Sequence, residues 1–217
     1  FYVLAGDSPS SLLGLLSPPA YDLRIWHLAV AVLLGLLAVP FGLLFPLFNK
    51  VFERLAAPLN KQPIVRSTIG GLLLGLLGMA LPTTIGMGTK EMSIVTQQAA
   101  EIGVVLLIVF ALAKILAVSG ALSFGFIGGP IFPLLFVGSS VGSAVSLLFP
   151  QLPAGLVLGC MIVAIPASIV PIPLALAAIG IVVIGVSFMN ALPVFIAALV
   201  AFSITRGLLM KGEERTG

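Results

Sequence analysis

Charge is what this sequence has least of. Charged residues make up 8% of its 217 positions, against about 25% in an ordinary soluble domain. Between Lys114 and Arg206 there is no Lys, Arg, Asp or Glu at all. A stretch as long as 115–205 cannot be the uncharged core of a small globule, whose helices would need a polar face toward water. This excludes a soluble enzyme, a nucleic-acid-binding protein and a disordered segment. The single cysteine, Cys160, excludes a disulfide framework and a cysteine-based metal cluster; within its apolar run it reads as a small buried hydrophobe. The one histidine, His27, is remote in sequence from any acid-free span that could use it. An intramembrane hydrolase needs paired carboxylates, Ser with His, or a metal motif such as HExxH. None of these is available, so no enzyme activity and no cofactor is expected.

Apolar residues fill the space that charge leaves: 60% of the chain is hydrophobic, with a mean hydropathy of +1.28. The expectation is an all-α integral membrane protein built from spans of about 20 residues. Residues 1–22, rich in Ser and Pro, read as an exposed leading loop, without the basic and apolar segments of a signal peptide. A membrane domain is expected over 23–209 and a short charged tail over 210–217. Within the domain, helices are predicted over 23–48, 67–81, 102–119, 131–149, 154–170, 173–188 and 191–209. Tyr21 and Trp26 anchor the first at the interface, and Pro40 and Pro46 should bend it. The net charge of +3 is best read as topology. Lys50, Arg54, Lys61 and Arg66 face only Glu53 between the first two spans, which places that loop on the cytoplasmic side and the polar stretch 82–101 on the outer side. Gly70, Gly71, Gly75 and Gly78 offer close-packing surfaces to the second span.

The prolines at 130, 133, 150, 153, 166, 171, 173 and 193 make the remaining helices short, tilted or broken. In lipid such breaks persist only where protein or a water-filled cavity satisfies the freed backbone groups, as in transporters that bind ions at broken helices. The densest signal is GFIGGPIFPLLFVGSSVG, residues 125–142. Gly125, Gly128 and Gly129 permit a sharp turn and a close approach to the backbone. Pro130 then opens a helix through Ile131, Phe132 and Pro133. The expected outcome is a helix N-terminus buried at membrane depth, which carries free N–H groups and a partial positive charge and binds anions without a formal cation. Composition and spacing leave a second reading open, in which these glycines serve helix packing alone. Gly138 and Gly142 read as packing.

These residues resemble the chloride channel (CLC) family of voltage-gated chloride channels and proton-coupled anion exchangers, in which a GGxFxP motif opens an anion-coordinating helix. The stretch here is GGPIFP, Gly128 to Pro133, and its Ile-Phe-Pro form is similar to a bacterial branch of ion-transport members with a GGxIFP motif. GLLAVPFGLLFPLFNKVFERL (35–55), GGLLLGLLGMALPTTIGMG (70–88) and LAKILAVSGALSFGFIGG (112–129) are similar to successive segments of the family's second, C-terminal half. The resemblance implies tilted and re-entrant helices forming one half of an inverted-repeat fold. It implies a small anion, usually chloride, as the transported species, and a bacterial cytoplasmic (inner) membrane as the location. Its further partners would be the lipid bilayer, the N-terminal half of the same protein and a second copy in a homodimer with one pathway per subunit.

There are departures from the family pattern. Proline has no N–H, so Pro130 removes one donor and leaves the amides of Ile131 and Phe132. The GSGIP and G-[KR]-E-G-P motifs, with the gating glutamate, are absent from this stretch. No tyrosine follows Tyr21, and 170–186 holds no acid. Elsewhere, Lys114 reads first as a snorkelling or capping cation and second as an anion attractor. His27 reads as a solvated or loosely bonded imidazole, and Asn190 as a turn residue. Ser119, Ser123, Ser139, Ser140 and Ser143 either line a pathway or pack helices. The alternative to transport is a half without transport activity that must pair with another chain.

Overall fold

The computed structural model describes residues 21–185 and 188–214. The leading segment up to residue 20 and the last three residues of the charged tail lie outside them. Nine α-helices follow in chain order among the described residues: α1 Ile25–Ala56, α2 Pro63–Ala80, α3 Thr89–Gln97, α4 Ala99–Ile102, α5 Val104–Ser123, α6 Ile131–Leu148, α7 Ala154–Ile169, α8 Pro173–Ile184 and α9 Ala191–Glu214. No strand occurs among them. Five helical segments (Ile25–Leu59, Pro63–Ala80, Val104–Ser123, Ile131–Leu148 and Ala191–Lys211) are long and apolar enough to cross a membrane, while α7 and α8 are short apolar helices.

Turn chemistry sets most boundaries. Pro63 and Pro173 occupy first helical positions, where the missing N–H costs nothing. Gly103, at φ +78°, admits the chain to α5. Gly185, at φ +75°, ends α8 at Ile184, short of the residue 188 expected from hydropathy. The first helix runs eight residues past its apolar stretch, because Asn49, Lys50, Glu53 and Arg54 suit a helix while facing water; Pro58 follows its end. It also runs uninterrupted through Pro40 and Pro46. The segment 82–101, expected only to be polar and external, contains α3, α4 and a short 3-10 turn at Pro82–Thr84. At the C-terminal end, α9 continues to Glu214, into the part expected to be a separate tail.

The centre is α7. Every residue from Gly155 to Ser168 is buried, as expected for a helix that is apolar all round, and α1, α6, α8 and α9 pack around it. Small residues set the approach distances. A Cβ at Gly138 would lie 2.5 Å from the Cα of Ile162, and one at Gly35 would lie 2.7 Å from the carbonyl of Ala197. Gly138 is therefore a packing glycine for the α6–α7 pair, as read from its spacing. Cys160 lies within this core and is fully buried.

The second helix is peripheral. Only Gly70 and Gly78 are buried on it, against Phe124 and Ile85 respectively, while a Cβ at Gly75 would meet nothing within 4 Å among the described residues. A polar cluster joins its start to α5. The guanidinium of Arg66 donates from Nε (3.1 Å) and Nη2 to the Ser123 carbonyl, and from Nη1 to Asn60 (3.0 Å). The Ser123 hydroxyl in turn donates to Oδ1 of Asn49 at 3.0 Å. A cation at the last carbonyls of α5 is well placed with respect to the helix dipole.

Candidate functional site

The loop after α5 turns at Gly125, φ +96°, and delivers Pro130 as the N-cap of α6. The first free carbonyl of that helix, on Pro130, accepts from Leu134 N at 2.9 Å. Of the amides ahead of Leu134, Pro133 has none to offer, so two orphan donors remain, on Ile131 and Phe132. Neither has a hydrogen-bond partner among the described residues. The second proline thus limits the site as much as Pro130 does, a consequence readable from the sequence but tied to register.

These donors open onto a cavity of about 810 Å³. Gly128, Gly129, Ile131, Phe132 and Pro133 line it; Pro130 does not. The turn Thr84–Met87 lines it too, as does α5 from Lys114 to Leu122, a run of roughly 12 Å at 1.5 Å per residue. A Cβ at Gly128 or Gly129 would meet nothing within 4 Å. The expectation that this helix N-terminus is buried is not met within this chain. Gly128 and Gly129 are exposed, as are Phe126, Ile127 and Phe132. The motif stands at an open face whose lip is apolar.

Lys114 caps, as one reading of it had, but does not snorkel. It lies midway along α5 and is 1% exposed. Its ammonium donates to the carbonyls of Thr84 (3.0 Å) and Gly86 (2.9 Å), with Ile85 O at 3.5 Å. It also stands 5.0 Å from the centroid of the Phe136 ring. The side chain reaches sideways and caps the turn that links α2 to α3. Gly86 (φ +77°) and Gly88 (φ +86°) give that turn its left-handed bends, and Gly88 sits so close to Phe136 that a Cβ would come within 2.9 Å of it.

The serines pack. Ser119 donates to Phe45 O (3.3 Å) and Ser139 to Phe136 O (2.8 Å). Ser140 and Ser143 are buried without a partner, and none of the five lines the cavity. His27 is 2% exposed, not solvated: its Nδ1 accepts from Arg24 N at 3.0 Å and caps α1, with Trp26 and Tyr21 edge-on to its ring. Asn190 closes a 3-10 turn and donates to Tyr21 O at 2.9 Å.

The profile of the family described as voltage gated chloride channel matches residues 4–206. The chain belongs to that family. It is similar to the protein named "Putative ion-transport protein YfeO" of Escherichia coli O7:K1, with 32% identity over 139 residues, 63% of this chain and 31% of the relative. It is also similar to the protein of the same name from Escherichia fergusonii, with 36% identity over 107 residues, 48% of this chain and 25% of the relative. Among solved structures it resembles a CLC-type fluoride/proton antiporter at 27% identity and a TM-score of 0.71, over 88% of this chain and 47% of that one. The chain thus spans less than half the length of the proteins it matches. The CLC fold read from the GGPIFP motif, one half of it, is what the structure contains, and the chain is an integral membrane protein.

Proposed function

We propose that this chain forms the second half of a pathway for a small anion, chloride being the first candidate, in a CLC-type channel or proton-coupled exchanger. The observation that carries this reading is the pair of unpartnered amides on Ile131 and Phe132, residues that line a cavity walled mostly by apolar side chains, with Thr84 and Lys114 as its polar exceptions. Two N–H groups backed by an 18-residue helix supply a partial positive charge of about half a unit. That suffices to replace part of an anion's hydration while letting it leave. Gly128, Gly129, Pro130 and Pro133 shape the approach; Ile131 and Phe132 hold the ion.

The open apolar lip at Phe126, Ile127 and Phe132 calls for a further wall, which the N-terminal half of the same protein would supply. That half would also bring the carboxylates that gate or carry protons, since 115–205 has none. The membrane domain over 23–209, a bacterial inner-membrane location and a homodimer with one pathway per subunit complete the proposal. The test is chloride efflux from liposomes holding the full-length protein. Flux that Gly129→Leu abolishes supports the assignment; flux indifferent to that change overturns it.

A further inference from the structure

A fully buried ammonium costs several kcal/mol unless its donors are met. All three donors of Lys114 point at one turn, Thr84–Gly86, and no carboxylate shares them among the described residues. Glu91, on α3, makes no hydrogen bond to it. Carbonyl dipoles stabilise the ion without cancelling its charge, so a positive charge remains at the cavity wall; Lys90 and Glu91, on α3, do not line the cavity. The same lysine lines the cavity onto which the Ile131 and Phe132 amides open.

We propose that Lys114 is the fixed cation of this cavity. It latches the turn that lines this cavity together with the α6 N-terminus, and it sets anion affinity at a distance, without touching the ion. The caging has a consequence for release. A free ammonium in the cavity would pair with an anion directly and hold it; one whose donors are taken by Thr84, Ile85 and Gly86 offers the ion only its field. A unit charge acting across ~10 Å at an effective dielectric constant of about 20 changes affinity by about tenfold, the scale to expect of such a field. Lys114 is therefore a positioning residue, and the amides are the contacts.

The inference rests on the anion-pathway reading, and the experiment separates the two. Chloride flux into liposomes is measured against chloride concentration for the full-length protein and for Lys114→Gln, Lys114→Met and Lys114→Arg, with chloride titrated calorimetrically into the same detergent-purified proteins. Gln keeps two N–H donors for the turn and loses the charge; Met loses both and is the variant at risk of misfolding. The expected result is a half-saturating chloride concentration raised about tenfold in Lys114→Gln with maximal flux little changed, and a value within about twofold of the native one in Lys114→Arg. An unchanged half-saturation in Lys114→Gln overturns the electrostatic role, as does an Arg variant no better than Gln. A native protein that neither binds nor moves chloride overturns the anion-pathway reading itself, and the inference with it.

Discussion

The ammonium of Lys114 stands 2.9 Å from the carbonyl oxygen of Gly86, 28 residues away in the chain. This contact ties the middle of α5 to the turn that links α2 to α3. It also makes one wall of the cavity on which the GGPIFP motif opens. A charge, a left-handed glycine turn and a helix N-terminus are thereby brought to one place by three separate segments.

Pro130 is the N-cap of α6, with φ −79°, a value any residue adopts. Pro130→Ala therefore adds an N–H donor beside those of Ile131 and Phe132 without disturbing the helix. A hydrogen bond to a charged acceptor contributes about 1.5–3 kcal/mol. Calorimetric titration with chloride should show affinity raised about tenfold or more, with slower turnover at saturating chloride. Unaltered affinity would mean that the anion does not sit at this helix end.

Gly129 and Gly138 separate function from packing. Gly129 faces open space, so Gly129→Ala should leave thermal stability in detergent within about 0.5 kcal/mol of the native value. Gly138 abuts the α7 backbone, and Gly138→Ala should destabilise by about 1–3 kcal/mol through overpacking. Equal melting temperatures for the two variants would contradict the α6–α7 approach described here.

Arg66 holds the α5 C-terminus through the Ser123 carbonyl, seven residues before Pro130. Arg66→Ala leaves that carbonyl and Asn60 without their donor and should cost about 1–3 kcal/mol of stability. Arg66→Lys, which lacks the forked geometry, should recover only part of it. Thermal unfolding of the purified protein checks both; an Ala variant as stable as the native protein would show the clamp to be idle.

The loop at 57–62 should lie on the cytoplasmic side. In a background with Cys160→Ala, a cysteine introduced as Lys61→Cys should react with a membrane-impermeant maleimide only after cells are opened. Labelling of intact cells would invert the topology drawn from the basic residues.

Much of the architecture is written in the glycines and prolines. Pro63, Pro130 and Pro173 mark helix starts in the sequence as they do in the structure, because a fixed φ and a missing N–H act locally. The end of α1 was less legible: its last turns are polar, and hydropathy tracks the membrane where the helix does not stop. His27 capping α1 follows an i to i−3 relationship that sequence can suggest, but burial by Tyr21 and Trp26 decides it. The candidate site divides the same way. GGPIFP is contiguous and was readable, down to the donors left after Pro130. The partners of Lys114 were not, since they lie 28–30 residues away and nothing local indicates that a turn folds back toward mid-helix. The open face at Gly128 and Gly129 was likewise invisible, because glycines before a helix read the same whether the turn they make is covered or exposed.

The most direct measurement is the anomalous scattering of bromide soaked into crystals of the full-length protein. The account predicts a peak within hydrogen-bonding reach of the Ile131 and Phe132 amides, in the cavity bounded by Gly129 and the Lys114-held turn, which chloride displaces. A bromide peak confined to other parts of the protein, with this helix end empty, would contradict it.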